Sequence, residues 1–221
     1  MTVCRKNPAA GPVLCFAPHP DDEILGPGGT LARHAQQGDP VHVVVVTDGI
    51  AGDPDGHFDS TTYPERRREE SRAAAKELGL QAPVFWGLPD SCEVMETDKV
   101  RLVGLVVDAL RDLDPMTVYL PWRGDNNPDH LTLHEVVVRG LRELQFAGDA
   151  WGYEVWAPNP VPDLVVDITE LQALKQRALA CFETQHAYGD LDHPVFGMNA
   201  YRSLLIERAG SYGEAFEQVK V

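Results

Sequence analysis

The feature that most constrains the fold is a run of β-branched residues at 41–47, VHVVVVT. A strand this apolar has no face suited to water, so other elements must cover both of its faces. Further short apolar runs predict strands at 13–16, 84–86, 118–120 and 164–168,. Segments with helical periodicity alternate with them, at 30–37, 64–78, 98–113, 131–144 and 170–185. The alternation predicts an α/β fold with a mainly parallel sheet and helices on both faces.

The chain should form one domain over residues 1–221. Its 221 residues with 43% apolar content suffice for one sizeable core, and neither an internal repeat nor a domain linker is evident,. Gly79 supplies a stop for the helix at 64–78. We expect the segments 201–206 and 212–216 to form a closing helix and a tail.

Composition narrows the classes of partner and the location. The net charge of -15 and the pI near 4.8 repel phosphate backbones and anionic lipid, so a nucleic acid is not an expected partner,. No segment approaches the ~18 consecutive apolar residues of a membrane span. Four widely spaced cysteines without a C-x-x-C pair, and an amino terminus without an apolar signal core, predict free thiols and a cytoplasmic location,.

Residues 17–23, APHPDDE, follow directly after the strand predicted at 13–16. Neighbouring ionised carboxylates raise one another's pKa by roughly one to a few units unless a cation lies among them. A divalent metal is the simplest such cation. His19 with either Asp21 or Asp22 offers a neutral nitrogen and an anionic oxygen, a pair that suits zinc, and the remaining carboxylate would stand beside a metal-bound water.

A third ligand is expected from the segment 127–130, NPDH, which follows the fourth predicted strand. The carboxyl ends of parallel strands meet at one edge of a sheet, where ligands bind, so His130 is the preferred candidate. His134 lies four residues further on. No glutamate stands between the two histidines as an H-E-x-x-H site requires, and His134 is therefore expected to be an ordinary helix residue.

Taken together, HPDDE at 19–23, GGT at 28–30 and PDH at 128–130 resemble the PIG-L/LmbE-like N-deacetylase family. The segments RREE at 67–70, GLPD at 87–90 and DIT at 167–169 agree with this resemblance. It implies a Rossmann-like fold and one zinc ion per chain. It also implies a hydrolase that removes acetyl groups from a small substrate, an N-acetylated amino sugar of the N-acetylglucosamine type.

The resemblance assigns roles by position: His19, Asp22 and His130 hold zinc, and Asp21 is the general base. One departure concerns Asn127, because many members of the family have a histidine there that stabilises the oxyanion or assists the leaving amine. An asparagine can donate a hydrogen bond but cannot deliver a proton. We therefore predict that Asp21 both accepts the proton of the attacking water and passes it to the amine.

Weaker expectations concern the surroundings of the centre. Arg67 can bind sugar hydroxyls or pair with an acidic group through its fork of donors, and Asp90 can accept hydrogen bonds from hydroxyls. Asp129 is expected to orient His130 or a neighbouring group. Glu23 is expected to favour a helix start.

Two alternatives stay open at the level of sequence. One is an amidase that cleaves a larger acyl group or a thiol conjugate from a sugar amine, because substrate choice depends on the loops at 48–63 and 91–98. The other is a non-catalytic module that holds a metal structurally or binds a nucleotide. A structural zinc site normally has four protein ligands, and GPGG at 26–29 lacks the third glycine of G-x-G-x-x-G, so its glycines are expected to serve close packing,.

Overall fold

The computed structural model describes residues 2–90, 98–206 and 210–221. Eight strands form one sheet in this part of the chain: β1 Val3–Arg5, β2 Val13–Ala17, β3 Val41–Thr47, β4 Val84–Leu88, β5 Thr117–Pro121, β6 Asp149–Tyr153, β7 Leu164–Asp167 and β8 Gly213–Gln218. Their order is β1-β7-β8-β6-β5-β2-β3-β4. Only β8 is antiparallel to its neighbours β6 and β7. The α/β class and the mainly parallel sheet are therefore confirmed.

Helices cover both faces of this sheet. Those of the described residues are α1 Asp22–Leu25, α2 Gly28–Gln37, α3 Tyr63–Leu78, α4 Lys99–Leu113, α5 Pro128–Glu143, α6 Gln172–Leu179, α7 Glu183–His186 and α8 Asp192–Arg202. Alternate residues of β2 enter two separate cores, one shared with α2, α3 and α6 and the other with α4 and α5. Among the residues the structure describes, no helix combines the length and the apolar character that crossing a bilayer requires.

The strand predicted at 41–47 has the bounds of β3, and Gly79 (φ +75°) ends α3 as expected. Strands β1, β6 and β8 were missed. The segment 212–216 belongs to β8 rather than to a tail, and the helix predicted at 170–185 is divided into the 3-10 turn Thr169–Leu171, α6 and α7. The division falls at Phe182 (φ -87°, ψ 62°), where the chain leaves helical geometry and buries the phenyl ring completely.

The strand order places a crevice between β2 and β5. After β2 the chain continues to β3 and β4 on one side, and β5 and β6 lie on the other side. Strand order thus reverses between β2 and β5, and in open α/β sheets ligands bind outside the carboxyl ends of the strands at this reversal. The segments 18–21 and 122–127 leave these two ends.

Candidate active site and metal centre

The turn after β2 is held in a strained conformation. Thr47 donates from both its backbone nitrogen and Oγ1 to the carbonyl of Pro18, each at 2.9 Å. Asp21 has φ +135°, a value that residues with a Cβ rarely adopt,. Arg67 of α3 donates to the carbonyl of Pro20 and, at 3.0 Å, to Asp21 Oδ2. Such strain persists only where surrounding contacts fix it, and here α3 and β3 provide those contacts.

Glu23 joins this turn to α3 through hydrogen bonds. Its side chain is fully buried, its Oε2 accepts from the backbone nitrogen of Asp21 at 3.0 Å, and Ser71 donates to its Oε1 at 2.6 Å. Burial raises the pKa of Glu23 to about 7, although these hydrogen bonds act in the opposite direction. Glu23 thus ties the turn to α3, a different role from the helix-start effect expected from the sequence. The helix in which it lies, α1, begins at Asp22 and has only four residues.

Two imidazoles meet one carboxylate oxygen at the centre of the site. Asp22 Oδ2 lies 2.9 Å from His19 Nδ1 and 3.1 Å from His130 Nε2. The three donor atoms lie within 4.8 Å of one another. His130 is completely buried, and neither of its ring nitrogens makes a hydrogen bond of good geometry within the described residues. Buried polar atoms normally have partners, so this arrangement of two nitrogens and one oxygen fits a divalent metal such as zinc.

The electrostatics of the centre agree with a bound cation. Burial opposes a charge on the His130 ring, but the neighbouring Asp22 and Asp125 outweigh burial and raise the pKa of His130 to about 9. Burial likewise opposes ionisation of Asp22, yet His130 and His19 hold the pKa of Asp22 far below its ordinary value. A buried carboxylate is here balanced by positive charge, and a divalent cation supplies the same balance.

Each histidine also faces a further carboxylate. Asp125 Oδ2 lies 3.5 Å from His130 Nδ1, and Asp129 Oδ2 lies 3.3 Å from His19 Nε2. The side chain of Asp129 thus faces the ring of His19, and not the ring of His130, which follows it in the chain. The sequence analysis missed Asp125, although its place in the polar loop before Asn127 was a usable signal. Carboxylates in these positions orient metal-binding histidines.

Asn127 is the N-cap of α5. Its Oδ1 accepts from the backbone nitrogen of Asp129 at 2.8 Å, and Pro128 occupies the first turn of the helix,. The amide oxygen is therefore committed to the helix, whereas the amide nitrogen is the group that can donate elsewhere.

These residues line a cavity of about 640 Å³, a size usual for small-molecule sites,. Its floor is polar and includes Asp21, Asp90, Asp129 and the metal-centre residues His19 and Asp22. Its rim is the half-buried or exposed part of the lining, which comes from loops, from the 3-10 turn Ile50–Gly52 and from α7, namely Ala51, Gly52, Pro54, Trp156, Gln185 and Tyr188.

The structure also shows where three further residues of the sequence analysis lie. Arg67 is buried and paired with Asp21, one of the two expectations for it. Asp90 Oδ1 lies 3.2 Å from His19 Nε2. His134 lies outside the cavity and its Nδ1 contacts the carbonyl of Pro121 at 2.8 Å. Of the loop expected at 91–98, residues 91–97 lie outside the described residues.

The start of α2 offers no free cradle for a phosphate. The backbone nitrogens of Gly29 and Thr30 donate to the two carboxylate oxygens of Glu214, at 2.8 and 2.7 Å. A Cβ at Gly29 would lie 2.7 Å from the side chain of Ile168, so this glycine serves close packing. A side chain of the protein thus takes the helix-terminal donors that bind phosphates in nucleotide-binding folds.

Fold and site together define a class: an α/β protein with two histidines and one aspartate that could hold a metal, at the point where strand order reverses. The profile of the PIG-L family, described as GlcNAc-PI de-N-acetylase, matches residues 14–141. The chain belongs to the PIG-L family, as its motifs predicted. The family's deacetylases are metal-dependent.

Individual relatives agree with this membership. The diacetylchitobiose deacetylase of Thermococcus kodakarensis is 30% identical over 190 residues, which cover 78% of this chain and 69% of the relative. The 1D-myo-inositol 2-acetamido-2-deoxy-α-D-glucopyranoside deacetylase of Kineococcus radiotolerans is 28% identical over 187 residues, covering 69% of this chain and 51% of the relative. The chain thus spans about half of that second relative.

The same fold also occurs in an enzyme that is named a hydratase rather than a deacetylase. The crystal structure of 4-carboxy-2-hydroxymuconate hydratase from Pseudomonas putida superposes with a TM-score of 0.83 at 24% identity, covering 96% of this chain and 97% of that one. At this identity the likeness shows the fold alone. Function must therefore be argued from the site.

Proposed function

We propose that this chain is a zinc-dependent hydrolase that removes the acetyl group from the nitrogen of an N-acetylated amino sugar in a small glycoconjugate. The observation that carries the proposal is the position of Asp22 Oδ2, within 3.1 Å of both His19 Nδ1 and His130 Nε2 at the floor of a cavity that Asp21 also lines. The relatives named above are deacetylases of acetamido sugars, which supports this substrate class. A cytoplasmic location remains an expectation from the cysteine pattern.

His19, Asp22 and His130 would hold the zinc ion. A zinc ion with three protein ligands supplies Lewis-acid chemistry and lowers the pKa of water to roughly 7. Two histidines and one carboxylate leave a coordination position open, which distinguishes a catalytic site from a structural one. Asp125 and Asp129 would keep the two rings oriented through their second nitrogens.

Asp21 would act as the general base. Arg67 fixes one of its carboxylate oxygens at 3.0 Å, so proton transfer would use the other oxygen,. The strained backbone and the contacts from α3 hold this carboxyl group beside the metal ligand Asp22. After accepting the proton of water, Asp21 would pass it to the departing amine.

Asn127 and Asp90 would bind the substrate. The Asn127 amide nitrogen would donate to the carbonyl oxygen as that oxygen gains negative charge, a contribution typical of preorganised donors. Asp90 would accept hydrogen bonds from sugar hydroxyls. Arg67, whose guanidinium is turned toward Asp21, would act mainly by positioning that carboxylate.

Acetate release from a panel of substrates tests the proposal. N-acetylglucosamine, N,N′-diacetylchitobiose and N-propionylglucosamine would be compared on metal-stripped and zinc-restored protein. We expect acetate only from zinc-restored protein, and less turnover of the propionyl amide. Faster release of the larger acyl group would instead favour the amidase alternative, and no release by zinc-loaded protein would refute the proposed activity.

The Asp21→Asn variant tests the assigned base. We expect kcat to fall about 10²- to 10⁴-fold, the usual contribution of a general base, while one zinc per chain is retained. The matched variant Asp22→Asn should instead lose zinc, as measured by metal analysis after dialysis. An Asp21→Asn enzyme with nearly full activity would contradict the assignment.

A further inference from the structure

Trp156 exposes its indole at the rim of the cavity. This side chain is 59% exposed, whereas Trp122 and Trp151 are each 9% exposed. It lines the same cavity as His19 and Asp22. An indole combines a large apolar face with a polar edge, so leaving it in water forgoes hydrophobic stabilisation. At the mouth of a polar site, such a face is available to a ligand.

The backbone of Trp156 is tied to the metal centre. Its nitrogen donates to Asp125 Oδ2 at 3.1 Å, and the same oxygen lies 3.5 Å from His130 Nδ1. A single carboxylate oxygen therefore links the main chain of Trp156 with the ring of a proposed zinc ligand. Asp125 therefore holds the main chain of Trp156 close to the candidate metal centre.

The segment that carries the indole is anchored on both sides. Glu154, buried before it, receives a hydrogen bond from Arg202 Nε at 3.1 Å. After it, the carbonyl of Ala157 accepts from Trp122 Nε1 at 2.8 Å. The backbone that carries Trp156 is thus fixed on both sides, so a ligand need not order this segment, which lowers the entropic cost of binding,.

We propose that Trp156 forms a subsite for the ring attached to the acetamido sugar, a second pyranose or a cyclitol; the subsite rests on the proposed deacetylase function. The polar floor suits the acetamido group and hydroxyls of the first ring. A saturated polyol ring presents apolar C–H groups on its face and hydroxyls at its edge. Its face can cover the indole of Trp156 while the amide oxygen of Gln185, whose Nε2 donates to Gly52 and Tyr63, accepts from a hydroxyl.

Kinetics with one-ring and two-ring substrates test the subsite. We expect Trp156→Ala to lower the ratio of kcat/KM for N,N′-diacetylchitobiose to kcat/KM for N-acetylglucosamine about ten-fold, mainly through KM, in the range of an aromatic contact. Trp156→Phe should retain most of the ratio. The control is Val100→Ala, at an apolar residue that is 78% exposed on α4 outside the cavity and should leave the ratio unchanged. An unchanged ratio in Trp156→Ala would overturn the subsite.

Tryptophan fluorescence tests the Trp156 subsite independently of the proposed deacetylase activity. Titration of the zinc-loaded protein with chitobiose, the deacetylated disaccharide, should shift tryptophan emission to shorter wavelength saturably, and Trp156→Phe should lose the shift. Protein that releases no acetate yet shows the Trp156-dependent shift would retain the subsite and refute the deacetylase. A wild-type protein without any shift would refute the subsite, whatever its activity.

Discussion

Replacement of Asp125 by Asn should weaken zinc binding by about ten-fold, near the lower end of the 10–100-fold range for partners of metal ligands. The side chain of Asp125 is completely buried, with Oδ2 3.5 Å from His130 Nδ1. Because this distance exceeds that of a good hydrogen bond, the interaction is mainly that of charge with the ring, which favours the lower value. Ten-fold corresponds to about 1.4 kcal/mol.

The replacement should also lower folding stability, because Asp125 accepts hydrogen bonds from two backbone nitrogens. Its Oδ1 accepts from the nitrogen of Asn127 at 2.9 Å, and its Oδ2 accepts from the nitrogen of Trp156 at 3.1 Å. An asparagine can accept on one side only, so its amide group must face a backbone donor on the other. A buried donor without an acceptor costs roughly 1–3 kcal/mol of folding stability.

Zinc affinity would be measured by competition with a chromophoric chelator, and stability by urea unfolding of the metal-free protein. Asp112→Asn is the matched control, because Asp112 is exposed on α4 and should change neither quantity. Wild-type zinc affinity in a folded Asp125→Asn protein would refute the orienting role.

Two further predictions concern stability. Lys175, fully buried, donates to Glu214 Oε1 at 2.7 Å, so Lys175→Met should leave a buried carboxylate without its counter-charge, although Gly29 and Thr30 still donate to it, and should cost roughly 3 kcal/mol in urea unfolding,; a loss below about 1 kcal/mol would contradict this. Burial lowers the pKa of His34 below its ordinary 6.5, despite the hydrogen bond to Asp39. The unfolded chain therefore binds more protons, and stability present above about pH 6.5 should be lost as the pH falls below that value and through the lowered pKa. His34→Gln should flatten this dependence, and an equal slope in the variant would argue against it.

That the three candidate ligands lie together could be predicted from the sequence, because they follow strands that the apolar pattern identifies. His19 and Asp22 follow β2, and His130 follows β5 after the N-cap of α5. The pairing of the Asp21 carboxylate with Arg67 could not be predicted in the same way. Asp21 turns to Arg67 only because its backbone adopts φ +135° and because α3 packs beside the turn. Both are tertiary effects without a local signal.

Two of the three missed strands, β6 and β8, have a common cause. β6 contains a glycine, and β8 reads GEAFEQ, with two glutamates and one large apolar residue. Neither segment has the β-branched composition on which strand prediction depends. β8 forms nevertheless because it completes the sheet between β6 and β7 and because Glu214 pairs with Lys175.

Asn127 and Asp21 together determine which group can give a proton to the departing amine. Asn127 uses its amide oxygen as a helix cap, and its amide nitrogen does not release a proton at neutral pH,. Asp21 directly precedes the candidate ligand Asp22, lines the same cavity, and is held by Arg67 of α3 in a conformation it would not adopt alone,. If the proposed reaction occurs, the group that takes the proton from water is therefore the best-placed group to return it to the amine, and the strain at Asp21 is the structural cost of keeping it there.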